Sequence, residues 1–127
     1  MHTFVKVILR TEADGRARFF EEPVLLNEGS AQAMLSPLQA SAGFQLRHSP
    51  VGFRSHFHCT DHPQWVFILR GVMEIGLQDS SSRLFGPGQH FFSSDTLPAG
   101  VRFDAAVHGH WSRQVGPEPL ETLFVRA

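Results

Sequence analysis

The amino-acid sequence predicts an all-β protein, a sandwich or barrel assembled from many short strands. Short alternating or apolar segments recur along the chain, and turns rich in Gly and Pro separate them. Almost no stretch has the composition of a helix. Residues 30–38 are the exception, with a capping serine and several helix formers. Pro37 would limit such a helix to one or two turns, and an irregular strand fits the same residues equally well.

The first strands are predicted on either side of an Asp14-Gly15 turn, over residues 3–10 and 16–22. Residues 23–29 form a connection with a short apolar core. Residues 42–48 alternate between apolar and polar side chains, which predicts a strand, and the Ser-Pro-Val-Gly segment at 49–52 predicts a turn.

Further strands are predicted in the second half of the chain by alternation and by Gly/Pro punctuation. Residues 72–77, 83–85 and 89–93 are three of them, separated by a polar turn and by Gly-Pro-Gly at 86–88. Residues 101–107 predict another, which the segment 108–113 continues or restarts. A turn at 116–119 precedes a closing strand over 120–125.

Length and charge limit the classes of function. A chain of 127 residues is the size of one domain, and 42% hydrophobic with 18% charged residues is typical of a globular protein. The net charge of −1 offers no electrostatic footprint for nucleic acid or anionic lipid. We therefore expect neither nucleic acid nor a membrane as a partner; the resemblance described below implies a small-molecule ligand instead.

The cellular compartment is predicted from cysteine usage and from the N-terminal residues. The single Cys59 excludes an internal disulfide and is interpreted as a small packed residue. The apolar N-terminal stretch is broken by Lys6 and has no signal-peptide architecture, and no run is long enough to cross a bilayer. The prediction is a cytoplasmic protein.

A histidine-rich stretch, residues 53–71, is the main candidate for chemistry. His56 and His58 are two positions apart, so on a β-strand both imidazoles would point to the same face. Residues 65–69 predict a buried return strand, and the polar segment 59–63 predicts the hairpin loop. Gln64 would then lie near both imidazoles. Histidines also occur on sheets for structural reasons, but this pattern favours a metal or ligand site.

A second histidine pair, His108 and His110, has the same spacing. One of these two could complete a donor set with His56, His58 and Gln64. Imidazole nitrogen binds several transition metals, and such a set leaves a position open for water, oxygen or substrate. Because the set has no carboxylate, it neutralises none of the charge of a divalent ion. A metal-free polar pocket is therefore the alternative.

The histidine stretch resembles the first motif of the cupin superfamily: His-x-His, a short spacer, an acidic residue, six residues and Gly. The matching positions are His56, His58, Gln64 in place of the usual Glu, and Gly71. The leading glycine of the motif falls at Pro50, which is a departure.

The second cupin motif is similar to residues 86–100. Gly-Pro-Gly at 86–88 and Pro-Ala-Gly at 98–100 match it, but Phe103 stands where a histidine is expected. The segment Gly109 to Arg113 resembles the Gly-His-x-x-Arg segment that ends small single-domain cupins, after an apparent insertion over about residues 97–108. We therefore assign the histidine of this motif to His110, with His108 as the alternate.

The resemblance covers about residues 45–125 and implies a double-stranded β-helix, the jelly-roll barrel of cupins. It implies one domain, 1–127, in which strands and a connection over 1–42 precede the barrel core at 43–127. It also implies frequent homodimers and a divalent transition metal (Fe, Mn, Zn or Ni) at the centre. The implied ligands are His56, His58, Gln64 and His110.

Two functions from different classes follow from this resemblance. The first is a small metal-binding cupin that acts on a small polar organic molecule, by the chemistry of a metal-dependent dioxygenase or isomerase. The second is a non-catalytic small-molecule-binding barrel whose metal site is degenerate or empty. Gln64 at the acidic position and Phe103 at the histidine position favour the second.

Several other side chains are candidates for lining the pocket or binding a substrate. These candidates are His62, His108, Arg113, Trp65 and Trp111. Arg113 could bind a carboxylate through its planar guanidinium, and Arg47, Arg54 and Arg102 are weaker candidates for the same role. Asp95 and Asp104 are interpreted as turn or rim residues. The apolar N-terminal strand is predicted to be an exposed edge that pairs across a dimer interface.

Overall fold

A computed structural model describes residues 2–127, which form strands and no helix. The strands are β1 (Thr3–Thr11), β2 (Ala17–Leu25), β3 (Glu28–Ser30), β4 (Ala33–Leu35), β5 (Gly43–Ser49), β6 (Gln64–Arg70), β7 (Val72–Gly76), β8 (Ser82–Phe85), β9 (His90–Ser94), β10 (Trp111–Val115) and β11 (Leu120–Arg126). Within this range no helix has the length and apolar character that a bilayer crossing requires.

The strands form two main sheets and one small hairpin. The larger sheet has six strands in the order β2-β1-β9-β6-β11-β5, and the second has three in the order β10-β7-β8. β3 and β4 pair with each other. Every pairing is antiparallel except that of β1 with β9.

The strand order is that of a double-sheet jelly roll. β5, β11, β6 and β9 form one four-stranded face, and β10, β7 and β8 form most of the other. The segment 53–58 takes the fourth place beside β10 through two isolated bridges, Arg54 with Arg113 and His58 with His110. Two sheets of four strands in this arrangement are the jelly roll that cupins share with capsid and lectin domains. The predicted all-β jelly-roll fold is confirmed.

The core lies between the two sheets. Alternation along β1 and β6 turns Val7, Leu9, Val66 and Ile68 inward, where they are at most 7% exposed. Met73, Ile75 and Phe85 face them from the three-stranded sheet. Burying aliphatic and aromatic side chains of this size contributes about 1.5–3 kcal/mol each. This packing fixes the separation of the sheets and hence the space left at one end of the barrel.

The N-terminal strand is an interior strand of the larger sheet, so its prediction as an exposed edge is wrong. β1 pairs with β2 along its whole length and with β9 at residues 8–10. The apolar run is explained by this position, because Val7 and Leu9 enter the core. The outermost strands are β2 and β5. Homodimerisation remains a prediction, but pairing of an exposed β1 across the interface no longer supports it.

The helix-compatible stretch at 30–38 forms strand structure, as the second interpretation allowed. β3 ends at Ser30 and its partner β4 begins at Ala33, with a tight turn between them. Gly29 has φ +80° and lies so close to the carbonyl of Ala33 that a side chain would collide with it. The hairpin pairing therefore overrides the local helix propensity.

The strand predicted over residues 101–107 is wrong, because this segment folds on itself. The carbonyl of Asp104 accepts hydrogen bonds from the backbone N–H groups of Val107 and His108. Its carboxylate accepts the N–H of Ala106, and its own N–H donates to Nδ1 of His108. These local bonds satisfy the backbone groups that a sheet ladder would otherwise use. β10 begins only at Trp111.

Candidate functional site

A cavity of about 180 Å³ lies between the two sheets where the core packing ends. Its apolar wall is formed by Val66, Met73, Ile75, Phe91 and Phe124, and its principal polar side chains are Arg47, His58, Thr60, Gln64, His110 and Ser112. Concave sites with apolar walls and a few convergent polar groups are where proteins bind small molecules. This cavity is the candidate site.

His110 is held by a buried carboxylate. Its Nδ1 lies 2.8 Å from Oδ2 of Asp95, and the residues are 4% and 0% exposed. The other carboxylate oxygen accepts the hydroxyl of Thr11 at 2.7 Å. A carboxylate can only accept, so Nδ1 of His110 carries the proton in this bond. In the neutral ring Nε2 is then the acceptor nitrogen.

His58 is fixed in the same tautomer by a different group. Its Nδ1 lies 2.9 Å from the backbone carbonyl of His56, which can only accept a hydrogen bond. Burial lowers the pKa of His58, although part of the residue stays exposed, and the positive charge of Arg47 acts in the same direction. The neutral ring is therefore favoured, with Nε2 as the acceptor nitrogen.

The two imidazoles are brought together by the backbone. His58 and His110 exchange backbone hydrogen bonds of 2.9 and 3.0 Å, and their ring centroids are 4.7 Å apart. Among the described residues, no side chain or backbone group hydrogen-bonds to Nε2 of either ring. His110 is buried, and no buried residue of the described chain keeps a side-chain polar atom sealed away without a partner; His58 is itself exposed. Both Nε2 atoms therefore stay accessible to the cavity or to solvent, available to a ligand.

A register shift separates His56 from His58, so the prediction that both share one strand face is wrong. Arg54 lies opposite Arg113, and His58 lies opposite His110. The chain therefore advances four residues from 54 to 58, while the opposite strand advances only three from 110 to 113. Within the irregularity, Oγ of Ser55 accepts the N–H of Ser112. The extra residue breaks the alternation. His56 is exposed and does not line the cavity.

Gln64 lies where the sequence places it, at the first position of β6 and in the wall of the cavity. Nearby, the hydroxyls of Thr60 and Ser93 are hydrogen-bonded at 2.6 Å. The N–H of Thr60 donates to the backbone carbonyl of Asp95 at 2.8 Å. These bonds tie the 58–61 segment to the strand end that carries the His110 partner.

The other sequence candidates lie outside the cavity lining. Arg113 pairs with Glu74, and Trp111 packs over Gly76, where any side chain would strike its ring. The remaining three are placed as follows: Trp65 stacks on Phe67, His108 accepts from the backbone of Asp104, and His62 is exposed in the 59–63 loop.

The sequence pattern does not identify two important residues of the site. Asp95 was expected at a turn or rim, but it is fully buried and holds His110. Arg47 was a weak candidate, but it lines the cavity. An acidic residue directly after β9 is the only sequence signal for Asp95. The alternation of β5, which puts Arg47 opposite Phe44 and Leu46, was the signal for Arg47.

The cavity includes a cysteine whose reactivity is low. Burial and, to a lesser degree, the negative charge of Asp95 together raise the pKa of Cys59 to about 11. The thiolate is the nucleophilic form, so at neutral pH this group remains a thiol. This agrees with the interpretation of Cys59 as a packed residue and argues against covalent catalysis through sulfur.

The side chains at the cavity match the implied metal set only in part. His58, His110 and Gln64 line it, but His56 does not. Across residues 2–127, no group of three or more His, Cys, Asp and Glu side chains is arranged to hold a metal ion. Two imidazoles and an amide are neutral donors, and the nearby carboxylate of Asp95 is already engaged. The full set of four ligands is therefore not assembled.

Comparisons with known proteins find a likeness among solved structures. No protein-family model and no curated protein matches the chain. Among solved structures, it is similar to one described as the Schizosaccharomyces pombe Cnp3 cupin domain. The two are 13% identical with a TM-score of 0.48, and the likeness covers 100% of this chain and 88% of that one. A likeness of this size says nothing about ligand or activity. By its own strand order, the chain folds as a double-sheet jelly roll.

Proposed function

We propose that this protein is a small-molecule-binding barrel of the cupin type, with its ligand inside the jelly roll. The observation that carries the proposal is the pair of imidazoles of His58 and His110, each fixed through Nδ1 and each with Nε2 left for a ligand. This is the second of the two functions that the sequence suggests. It is preferred because His56 does not join the cavity.

The cavity would recognise a ligand by combining fixed acceptors with an apolar wall. The two Nε2 atoms accept hydrogen bonds, so they suit a ligand hydroxyl, amide or ammonium group. Gln64 offers both a donor and an acceptor, and the hydroxyl of Ser112 adds another of each. Val66, Ile75 and the other apolar residues suit a hydrocarbon part. Rigid polar groups in a dry wall give orientation and specificity at a low entropic cost.

A fragment titration followed by two-dimensional amide NMR tests the proposal. We expect fragments of roughly ten non-hydrogen atoms to shift the amide signals of His58, Thr60 and Ser112, because a pocket of this size encloses most of such a molecule. Gln64 is half-buried in the cavity wall, so Gln64→Trp should fill the cavity with the larger side chain and abolish these shifts. Gln32→Trp, on the exposed β3–β4 turn, is the matched control.

The result that contradicts the proposal is equally specific. Fragments that shift no cavity amides would argue against a ligand inside the barrel. So would shifts that survive Gln64→Trp unchanged. The control must keep the shifts of the parent, since it adds the same side chain at a distance from the cavity.

Metal binding is the second candidate function, and the Nδ1 partners favour it. Histidines that ligate metals usually donate their other ring N–H to a carboxylate or a backbone carbonyl. Asp95 does this for His110, and the carbonyl of His56 does it for His58. A metal bound by these two Nε2 atoms and the Gln64 amide would supply Lewis-acid or redox chemistry, according to its identity. The carboxylate of Asp95 and the backbone carbonyl of His56 hold the two rings in the ligating tautomer.

Calorimetric titration with Ni²⁺ and Zn²⁺ tests this second candidate. We expect Asp95→Asn to weaken binding about 10–100-fold, the effect typical of losing the carboxylate behind a histidine ligand. Gln64→Glu should strengthen it, because a carboxylate neutralises part of the metal charge. Asp79→Asn is the control, because Asp79 is an exposed carboxylate that does not line the cavity. Equal affinities in all four proteins would exclude a metal site at these residues.

A further inference from the structure

Arg47 places a positive charge at the cavity. It lies on β5, an outermost strand, and it lines the cavity together with His58 and Gln64. Its guanidinium carbon is 4.7 Å from the ring centroid of Phe53 and 5.9 Å from that of Phe124. Contacts of this kind hold a guanidinium over aromatic rings while its N–H groups remain available.

The charge of Arg47 has no carboxylate partner among residues 2–127. Ion pairs occupy Arg10, Arg18, Arg70, Arg83 and Arg113, but not Arg47. Two acidic residues are close to the cavity region. Asp61 lines the cavity but forms no ion pair with Arg47, and Asp95 is occupied by His110 and Thr11.

The remaining groups of the cavity add no negative charge. Gln64 is a neutral amide, and Nδ1 of His58 donates to the backbone carbonyl of His56, which leaves Nε2 of this ring as an acceptor in its neutral form. The carboxylate of Asp61 also lines the cavity but does not pair with Arg47, so the guanidinium is left as a site for an anion. A planar fork of N–H donors matches the two oxygens of a carboxylate in particular.

We infer that the ligand is a small organic carboxylate, with its carboxylate on Arg47 and its apolar part against Val66, Ile75 and Phe91. The inference rests on the proposed function and names its ligand class. A dry cavity of about 150 Å³ holds a benzene molecule in another protein, so a volume of about 180 Å³ suits a single ring or a short chain. The anionic group then lies toward the β5 side of the cavity, where Arg47 enters.

Benzoate and benzamide are the probes that test this inference, because they have the same ring and differ in charge. We expect benzoate to bind about tenfold or more tightly than benzamide, as charge-assisted hydrogen bonds are worth about 1.5–3 kcal/mol. Arg47→Gln should remove this advantage, so that benzoate and benzamide bind this variant with similar affinities. Arg47→Lys should keep part of it, since the charge remains and the fork is lost. Amide NMR shifts measure each affinity and locate the probe.

The control variant is Arg54→Gln. Arg54 is exposed near the same segment and does not line the cavity, so its loss changes the net charge equally without touching the proposed site. Benzoate affinity should be the same in this variant as in the parent. A tenfold loss here would mean that the effect is one of overall charge, which overturns the assignment to Arg47.

Other outcomes separate this inference from the proposed function. If both probes shift the cavity amides with equal affinity, the carboxylate inference is overturned and the small-molecule barrel stands. Benzoate binding that Arg47→Gln leaves intact overturns the inference in the same way. If neither probe binds at millimolar concentration, the inference is overturned, and the fragment titration with Gln64→Trp then decides the proposed function separately.

Discussion

Replacing His110 with leucine should lower the free energy of unfolding by about 3 kcal/mol, the upper end of the cost of leaving a buried hydrogen-bonding group unsatisfied, because the group left behind is a carboxylate. The variant would leave the carboxylate of Asp95, which is 0% exposed, without its nearest hydrogen-bond donor. Only the hydroxyl of Thr11 would remain to stabilise it. Urea unfolding followed by circular dichroism gives the measurement.

A double-mutant cycle distinguishes this cause from a simple loss of packing. Asp95→Leu combined with His110→Leu removes both polar partners, and it should cost less than the sum of the two single changes because no buried group is left unpaired. His58→Leu is the matched control, because His58 is partly exposed and its Nδ1 partner is a backbone carbonyl. Additive single and double effects would show that the two side chains are not energetically coupled.

The fold follows from patterns that the sequence contains. The apolar run at residues 65–69 and the alternation at 72–77 correspond to β6 and β7, and Gly71 lies between them with φ +79°. A side chain at Gly71 would strike the carbonyl of Pro119, so the position requires both the conformation and the absence of a Cβ. Local periodicity and turn chemistry are sufficient for elements of this kind.

The candidate site is less accessible to such reasoning because it depends on an irregularity. Strict alternation at 54–58 would have placed His56 beside His58. Instead, the hydroxyl of Ser55 replaces a backbone carbonyl as the acceptor for the N–H of Ser112. The segment 54–58 then has one residue more than the segment 110–113 opposite it. A register shift of one residue exchanges the faces of a strand, and no periodic pattern reveals it.

The partner of His110 is equally hidden from the sequence. Asp95 and His110 are 15 positions apart, and the segment between them forms a local turn around Asp104 in place of the expected strand. Their contact depends on how this segment returns to β10, which is a property of the tertiary fold. His110 could be chosen over His108 from the family motif, but the buried carboxylate behind it could not.

Gly109 is the residue whose substitution should damage the site most directly. It has φ +83°, and a Cβ built there would lie 2.4 Å from the carbonyl oxygen of His58. Alanine would therefore strain its own backbone, at about 1–3 kcal/mol, and push apart the two segments that exchange hydrogen bonds. We expect Gly109→Ala to lose at least about 2 kcal/mol of unfolding free energy and to abolish fragment-induced shifts at His58 and His110.

Gly100→Ala separates the two contributions to this effect. Gly100 has nearly the same conformation, φ +76°, but open space where its side chain would be added. Its substitution should cost only the backbone strain and leave fragment binding intact. The excess loss in Gly109→Ala therefore measures the close approach of the two histidine segments. If both variants lose equal stability and both bind fragments, the His58 segment can move away from His110 at little cost, and the paired imidazoles do not depend on the absence of a side chain at Gly109.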